Sequence, residues 1–330
     1  MPKLEVSIII PVFNSEQFLG ESIQSAIREA VLIGKSEIIV VDNNSKDKSI
    51  EIAKSILGSS MVRHQIVNQE IQGASPTRNL GVSLASGHWI KFLDADDVIG
   101  EGSTLAQLQV AQNVPNNCGL IYSNWARGDK DLNLTALITP KIRTKSIEAA
   151  IDLLEASNFL AMGSSLICRD AFNAVGGFSD SVVIEDVELY IRLAEANCTF
   201  VGCETEKPSL IYRDVQNSLS KQNDIAFSMA VRRNARMVLE FAAREGQMTR
   251  EVVDSVSDRY FQTTRALFQK DRHKFREVLC EMKELNLNLL PQGPAHFRFL
   301  AQVFGYELAE EIAGIARGWI SSLRVGLLSR

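Results

Sequence analysis

The chain has 330 residues, which is long for a single core and suits one large domain with an appendage. Hydrophobic residues make up 45% and charged residues 23%, the balance of a globular chain that can bury a sizeable core. A formal charge of −5 gives no electrostatic footprint for nucleic acid, and five cysteines without a CxxC pair argue for reduced thiols rather than a zinc site.

The first apolar run, Val6 to Ile10, is β-branched, continuous and followed by Pro11, so it predicts a buried strand rather than a leader peptide. Ser15 to Ala30 carries helical spacing, with Phe18, Leu19, Ile23 and Ile27 on one side. Ile38 to Val41 predicts a second buried strand, closed by Asp42-Asn43-Asn44-Ser45. A helix over Ser49 to Leu57 and a strand over Val62 to Val67 follow. Pro76 to Ser86 reads as a helix capped by Ser75. Trp89 to Leu93 predicts a fourth strand running into Asp94-Ala95-Asp96-Asp97.

Four alternations of strand and helix predict an α/β fold, a mostly parallel sheet with helices on both faces. Ligands of such sheets bind beyond the carboxyl ends of the strands. The polar clusters at Pro11–Asn14, Asp42–Ser45 and Asp94–Asp97 all fall at those ends. Further on, strands are expected at Leu120–Ser123, within Leu160–Cys168 and at Ser209–Tyr212, and a helix at Glu185–Asn197. From about Asp224 glycine thins out and long helical patterns take over. The expected division is therefore an α/β domain over 1–223 and a helical region over 224–330. The end, Phe304 to Leu328, has Ile312, Ile315, Trp319, Ile320 and Leu323 at helical spacing. Packing on its own domain is the leading expectation for it; a membrane surface, a partner or a second copy are the alternatives. No run approaches the roughly 18 apolar residues of a membrane span, so a cytoplasmic or membrane-peripheral location is expected.

Ser7 to Asn14, Val41 to Asp47, Gly73 to Asn79, Gly87 to Asp97, Glu185-Asp186 with Leu189 and Arg192, and Ile211-Tyr212-Arg213 with Ser218 and Ser220 together resemble the shared segments of family 2 glycosyltransferases, which have the GT-A fold. The order and spacing of several motifs carry the resemblance, which spans roughly residues 5–222. It implies a nucleoside-diphosphate sugar as donor, uridine being the commonest nucleoside. It also implies a divalent metal, Mn2+ or Mg2+, and inverting transfer to a hydroxyl of a glycan, lipid-linked or other acceptor.

Each motif then takes a role. Asp94 and Asp96 are spaced by two on what is expected to be an extended strand end, so both face one side, and the family pattern makes them the metal pair. Pro11, Val12, Phe13, Asn14 and Asp42 would hold the nucleoside. Gly73, Arg78, Asn79, Asp94, Ala95 and Arg213 would complete the donor site, the arginines offering planar forks to base or phosphate. Asp186 is the expected base, in an in-line displacement that needs no nucleophile on the protein, with Glu185 in support or on the acceptor. Trp125, Gly163 and Ser164 are placed on the acceptor side. Asn43 stands where many members carry a second aspartate, Asn44 where glycine is common, and Val215 where many have a histidine, which leaves any third metal ligand to phosphate or water. A catalytically weak nucleotide-sugar-binding scaffold is the alternative. A sugar nucleotidyltransferase ranks below it, since no glycine-rich basic loop follows the first strand.

Overall fold

The computed structural model describes residues 5–144, 146–179, 183–215, 224–290 and 295–313. These divide into two compact units, Met1–Gln222 and Asn223–Arg330. Ser218, Ser220, Asp180 and residues 314–330, with Ile315, Trp319, Ile320 and Leu323, lie outside the described residues.

In the first unit, strand and helix alternate through Val6–Val12 (β1), Leu19–Ile33 (α1), Ser36–Asp42 (β2), Ser49–Gly58 (α2), His64–Asn68 (β3), Ala74–Leu84 (α3) and Trp89–Phe92 (β4). Then come Val98–Ile99 (β5), Ser103–Ala111 (α4), Cys118–Ser123 (β6), Trp125–Gly128 (β7), Leu134–Ile138 (β8), Ser146–Asp152 (α5), Ser165–Cys168 (β9), Arg169–Ala174 (α6), Glu185–Glu195 (α7), Thr199–Cys203 (β10) and Leu210–Arg213 (β11). Seven strands form one sheet in the order β10-β6-β9-β4-β1-β2-β3, in which β9 alone runs antiparallel to its neighbours. The fold is therefore α/β with a mostly parallel sheet, as the alternation predicts.

The alternation of side chains along the strands explains the two helical layers. Ile8, Ile10, Ile38 and Val40 point to one face, where Leu19, Ile23, Ala26 and Ala30 of α1 and Ala53 and Leu57 of α2 cover them. Ile9 and Val41 point to the other face, against α3. Gly81 permits that approach, since a Cβ there would meet Ile9 Cγ2 at 2.4 Å.

β1 continues through Pro11 to Val12 instead of stopping at the proline. Pairing with β4 ends at Ile9↔Phe92, so the edge on which Pro11 lacks an N–H has no partner strand to serve. α1 begins four residues later than its pattern suggests, because the Ser15 and Glu16 amides are held by Ser49 Oγ at 2.8 Å and Asp47 Oδ2 at 2.9 Å. α3 opens on Gly73, and Ser75 sits inside the helix, not at its cap. A second sheet, β5-β11-β7-β8, was not legible in the sequence.

The second unit is helical: Asp224–Arg244 (α8), Arg250–Leu267 (α9), Arg272–Glu284 (α10) and Ala295–Phe304 (α11), with a further helical stretch over 306–313. Phe275, Tyr260, Val238 and Met282 are buried in it, and Phe261 packs edge-on against Tyr306 at 5.0 Å. In the last stretch Tyr306, Ala309 and Glu310 are the buried residues, whereas Ile312, expected on the covered face, is 40% exposed. Among the described residues no helix is long and apolar enough to cross a membrane.

One core residue breaks the apolar rule. Lys91 of β4 is fully buried, its Nζ donating to Gln107 Oε1 at 2.9 Å. Lost solvation pushes the amine down to about 7, against an opposing pull from Glu29. The unfolded chain holds that proton to about pH 10, so the native state gains stability as pH climbs from about 7 toward 10. Lys91→Met should therefore raise Tm more at pH 6, where the buried amine is charged, than at pH 9. Calorimetry giving equal increments at both would refute the buried charge.

Candidate active site

The register fixes which residues share an edge of the sheet. Val12 is level with Asp42, and Ile9 with Phe92, so Asp42 and the turn after β4 flank the end of β1. At the usual strand spacing their backbones are roughly 10 Å apart. The ends of β1 and β2 are tied together: Lys46 N–H donates to Asn14 Oδ1 at 2.7 Å and Asn14 N–H to Ser45 Oγ at 3.0 Å. Asn14 and Asn44 take φ of 47° and 65°, left-handed values that asparagine tolerates.

Asp94 to Asp97 form a β-turn, with the Asp97 N–H donating to Asp94 O at 3.1 Å, and not the extended end expected. The strand alternation invoked for the two aspartates therefore does not apply. Ser22 of α1 braces the turn, its Oγ lying 2.5 Å from Asp97 O and 3.3 Å from Asp94 O. Ala95 faces the core.

Arg78 joins this turn to the start of α7. Its guanidinium donates to Asp94 Oδ1 at 2.7 Å and to Glu185 Oε1 at 2.5 Å, and it lies over the Phe178 ring. Asp94 and Glu185, far apart in the chain, thus meet at one cation. Asp186, next to Glu185, accepts from the Val187 N–H at 2.8 Å. Burial, then the Glu185 charge, push its carboxyl up to about 7, against a counter-pull from Arg78. Burial and the Asp94 charge push Asp96 up to about 6, and burial with both neighbours holds Asp97 well above the ordinary carboxylate range. Ile184, just before Glu185, has φ of 61°, a conformation that strains a β-branched residue by about 1–3 kcal/mol. That bend starts α7 with both acidic side chains in its first turn.

The crowding of like charges is the feature a cation would relieve. Among the described residues no group of three or more metal-type side chains gathers at one point. Asp94 and Asp96 are two partly exposed carboxylates on one turn, a donor type that suits a hard divalent ion taking its other ligands from phosphate and water.

Several expected contacts are not available. Trp125 is 1% exposed, its Nε1 donating to Phe159 O at 2.9 Å and its ring packed edge-on to Phe159 and Tyr212, so no face is open to a sugar. Gly163 and Ser164 are core residues: a Cβ on Gly163 would meet Leu210 at 2.6 Å, and Ser164 Oγ donates to Ala161 O. Asn79 spends its amide on the backbone of Phe178, at 2.8 and 2.9 Å. Val12 packs in the core and its carbonyl accepts from Asn43 N–H. Arg213 is buried with its guanidinium committed within the protein, to Asp96 O, Lys130 O and Glu21. Phe13, Asn14, Asp42, Gly73, Asp94 and Asp96 keep at least partial exposure, and Pro11, Glu185 and Asp186 are half-buried.

Other residues matter that motif reading missed. Asn43 is buried and holds the loop before α3 from both sides, donating to Gln69 O and Ile71 O at 2.9 and 2.8 Å and accepting from Gly73 N–H at 2.8 Å. Gly73 itself takes φ of 140°, a region other residues avoid. Aspartate at 43 would lack the two donor bonds, a signal present in the sequence only as a departure from pattern.

The profile of glycosyl transferase family 2 matches residues 7–175, half of the chain. The chain belongs to glycosyl transferase family 2. An uncharacterized glycosyltransferase of Haemophilus influenzae is 32% identical over 157 residues, 48% of this chain and 60% of that protein. The poly(ribitol-phosphate) beta-glucosyltransferase of Bacillus spizizenii is 35% identical over 105 residues, 31% of this chain and 16% of its own length. The matched stretches thus span less than two thirds of either curated relative. Among solved structures, S. aureus TarS 1–349 in complex with UDP-GlcNAc superposes with a TM-score of 0.67 at 15% identity, covering 95% of this chain and 92% of that one. That likeness gives the family 2 chain the GT-A fold.

Arg78→Met should strand Asp94 and Glu185 against each other. We expect a loss of about 3 kcal/mol, the low end for a broken buried pair because Asp94 is partly solvated, read from denaturant unfolding. The Asp186 carboxyl should titrate above its wild-type value by carbon-detected NMR, since a lowering influence is gone. An unchanged titration would remove Arg78 from the electrostatics of Asp186.

Proposed function

We propose that this family 2 chain is an inverting glycosyltransferase that moves a sugar from a nucleoside-diphosphate sugar, a UDP-sugar in the first instance, to an acceptor hydroxyl. The observation that carries the reading is the Arg78 bridge, which brings the Asp94–Asp97 turn and the Glu185–Asp186 helix start to one place. The likeness to TarS, whose crystal structure holds UDP-GlcNAc, supports the donor class. The relationship to a poly(ribitol-phosphate) glucosyltransferase supports a glycan or polymer hydroxyl as acceptor. We assign residues 1–223 to this chemistry and 224–330 to a helical accessory region.

In this reading Pro11, Phe13, Asn14 and Asp42 line the nucleoside end, with Asp42 accepting from base or ribose donors. Asp94 and Asp96 would hold a Mn2+ or Mg2+ ion, which when bound offsets the negative charge growing on the departing diphosphate. Asp186 takes the acceptor proton as the hydroxyl oxygen attacks the anomeric carbon from the side opposite the diphosphate. A carboxyl raised to about 7 is a competent base near neutral pH, stronger than an ordinary exposed aspartate. Glu185, paired with Arg78, keeps its neighbour's environment negative and so sustains that basicity.

The test is release of UDP from UDP-GlcNAc and other UDP-sugars, with Mn2+ or Mg2+ and with GDP- and dTDP-sugars in parallel. Asp186→Asn should keep donor affinity and lose about 10²- to 10⁴-fold in transfer. Because Asp186 works deprotonated, kcat/KM should rise with pH through about 7 and level off above it. Wild-type turnover by the asparagine variant would sink the base assignment, and no turnover with any donor would sink the enzyme reading.

A further inference from the structure

Arg213 was expected on the diphosphate, yet its bonds lead to the protein. Its side chain is 2% exposed and lies flat over the Phe18 ring, 4.4 Å from guanidinium carbon to centroid. Nε donates to Asp96 O at 2.8 Å, and the two terminal nitrogens donate to Lys130 O and to the Glu21 carboxylate. Its backbone N–H donates to Asp97 Oδ1 at 2.9 Å. One residue therefore fastens the aspartate turn to α1, to the β7–β8 loop and to β11.

Together with Ser22, Arg213 meets three of the turn's carbonyls and one carboxylate oxygen. Asp94 O and Asp97 O are met by Ser22 Oγ, Asp96 O by Arg213 Nε, and Asp97 Oδ1 by the Arg213 amide. Holding the Asp96 carbonyl fixes the backbone there, and with it the Cα–Cβ direction that carries the carboxylate, so only the side chain's own rotamers remain to reach a cation. A guanidinium fork offers a separate nitrogen to each of the three acceptors, whereas a lysine ammonium in the same place keeps the charge and loses the fork.

We infer that Arg213 is a positioning residue, which sets the aim of the Asp96 carboxylate toward a divalent cation and does not itself touch donor. The inference rests on the reading of Asp94 and Asp96 as the cation-holding pair. Glu21 shares the role from the other end: its carboxylate is 57% exposed and is the counter-charge that keeps the guanidinium in place.

The experiment is calorimetric titration with UDP, with EDTA and with Mn2+, on wild type, Arg213→Lys and Glu21→Gln. The expected result is metal-free UDP affinity unchanged in both variants. The Mn2+-dependent tightening should fall by about 10- to 100-fold in Arg213→Lys, the usual cost of losing a group that orients a metal ligand, and by less in Glu21→Gln. A residue that merely holds the fold together would lower both affinities in step with Tm. If both variants keep the wild-type Mn2+ gain, or lose metal-free affinity in parallel, the inference is overturned. Should Arg213→Lys show no cooperative thermal transition, Glu21→Gln decides alone by the same criterion. A wild-type chain that binds UDP with no gain from Mn2+ refutes the cation pair itself, and that result is distinguishable because it needs no variant.

Discussion

Like charge held at close quarters is the constraint on which the rest of this site depends. Asp94, Asp96 and Asp97 on the turn and Glu185 and Asp186 at the start of α7 are linked through Arg78, and burial, then the charge of acidic neighbours, lifts the carboxyls of Asp96, Asp97 and Asp186. Left alone, such a cluster would push its own loops apart. Arg78 offsets part of it from α3, bonding one carboxylate of the turn and one of the helix start. Arg213 offsets another part from β11, behind the turn. Arg78 bonds to side chains of the acidic groups, whereas Arg213 bonds to the backbone of the turn and to Asp97.

That division of labour explains why the site is built from so many elements. A turn of four residues has too little of its own structure to fix two carboxylates. Ser22 from α1, Arg213 from β11 and Arg78 from α3 do so from three directions. At the end of β2, the asparagines at 43 and 44 do with neutral amides what carboxylates could not, since three backbone carbonyls, of Gln69, Glu70 and Ile71, need donors.

Much of the fold was readable because strand and helix periodicities differ and the β-branched runs are buried on both faces. Ile8 to Ile10 and Ile38 to Val41 announce central strands, and the acidic and polar residues that follow them mark one edge of the sheet. The family followed from motif order, and the profile match agrees. The second sheet was not readable, because β7 and β8 are short and β8 is largely exposed, so neither carries a clear apolar pattern. The direction of side chains was not readable either. Trp125 and Arg213 have the right chemistry for a sugar face and a phosphate, and packing gives them to Phe159 and to Asp96 instead.

By itself, then, the sequence determined the α/β alternation, the edge at which polar residues collect and the family, because each depends on local periodicity or on motifs read in order. Tertiary structure decided which acidic groups share a cation, which arginine faces inward and which residues belong to the core. Those depend on contacts across gaps such as Arg78 to Glu185 and Glu21 to Arg213. Such contacts arise only when helices pack on the sheet, and no local pattern encodes where a guanidinium several ångströms long will find its acceptors.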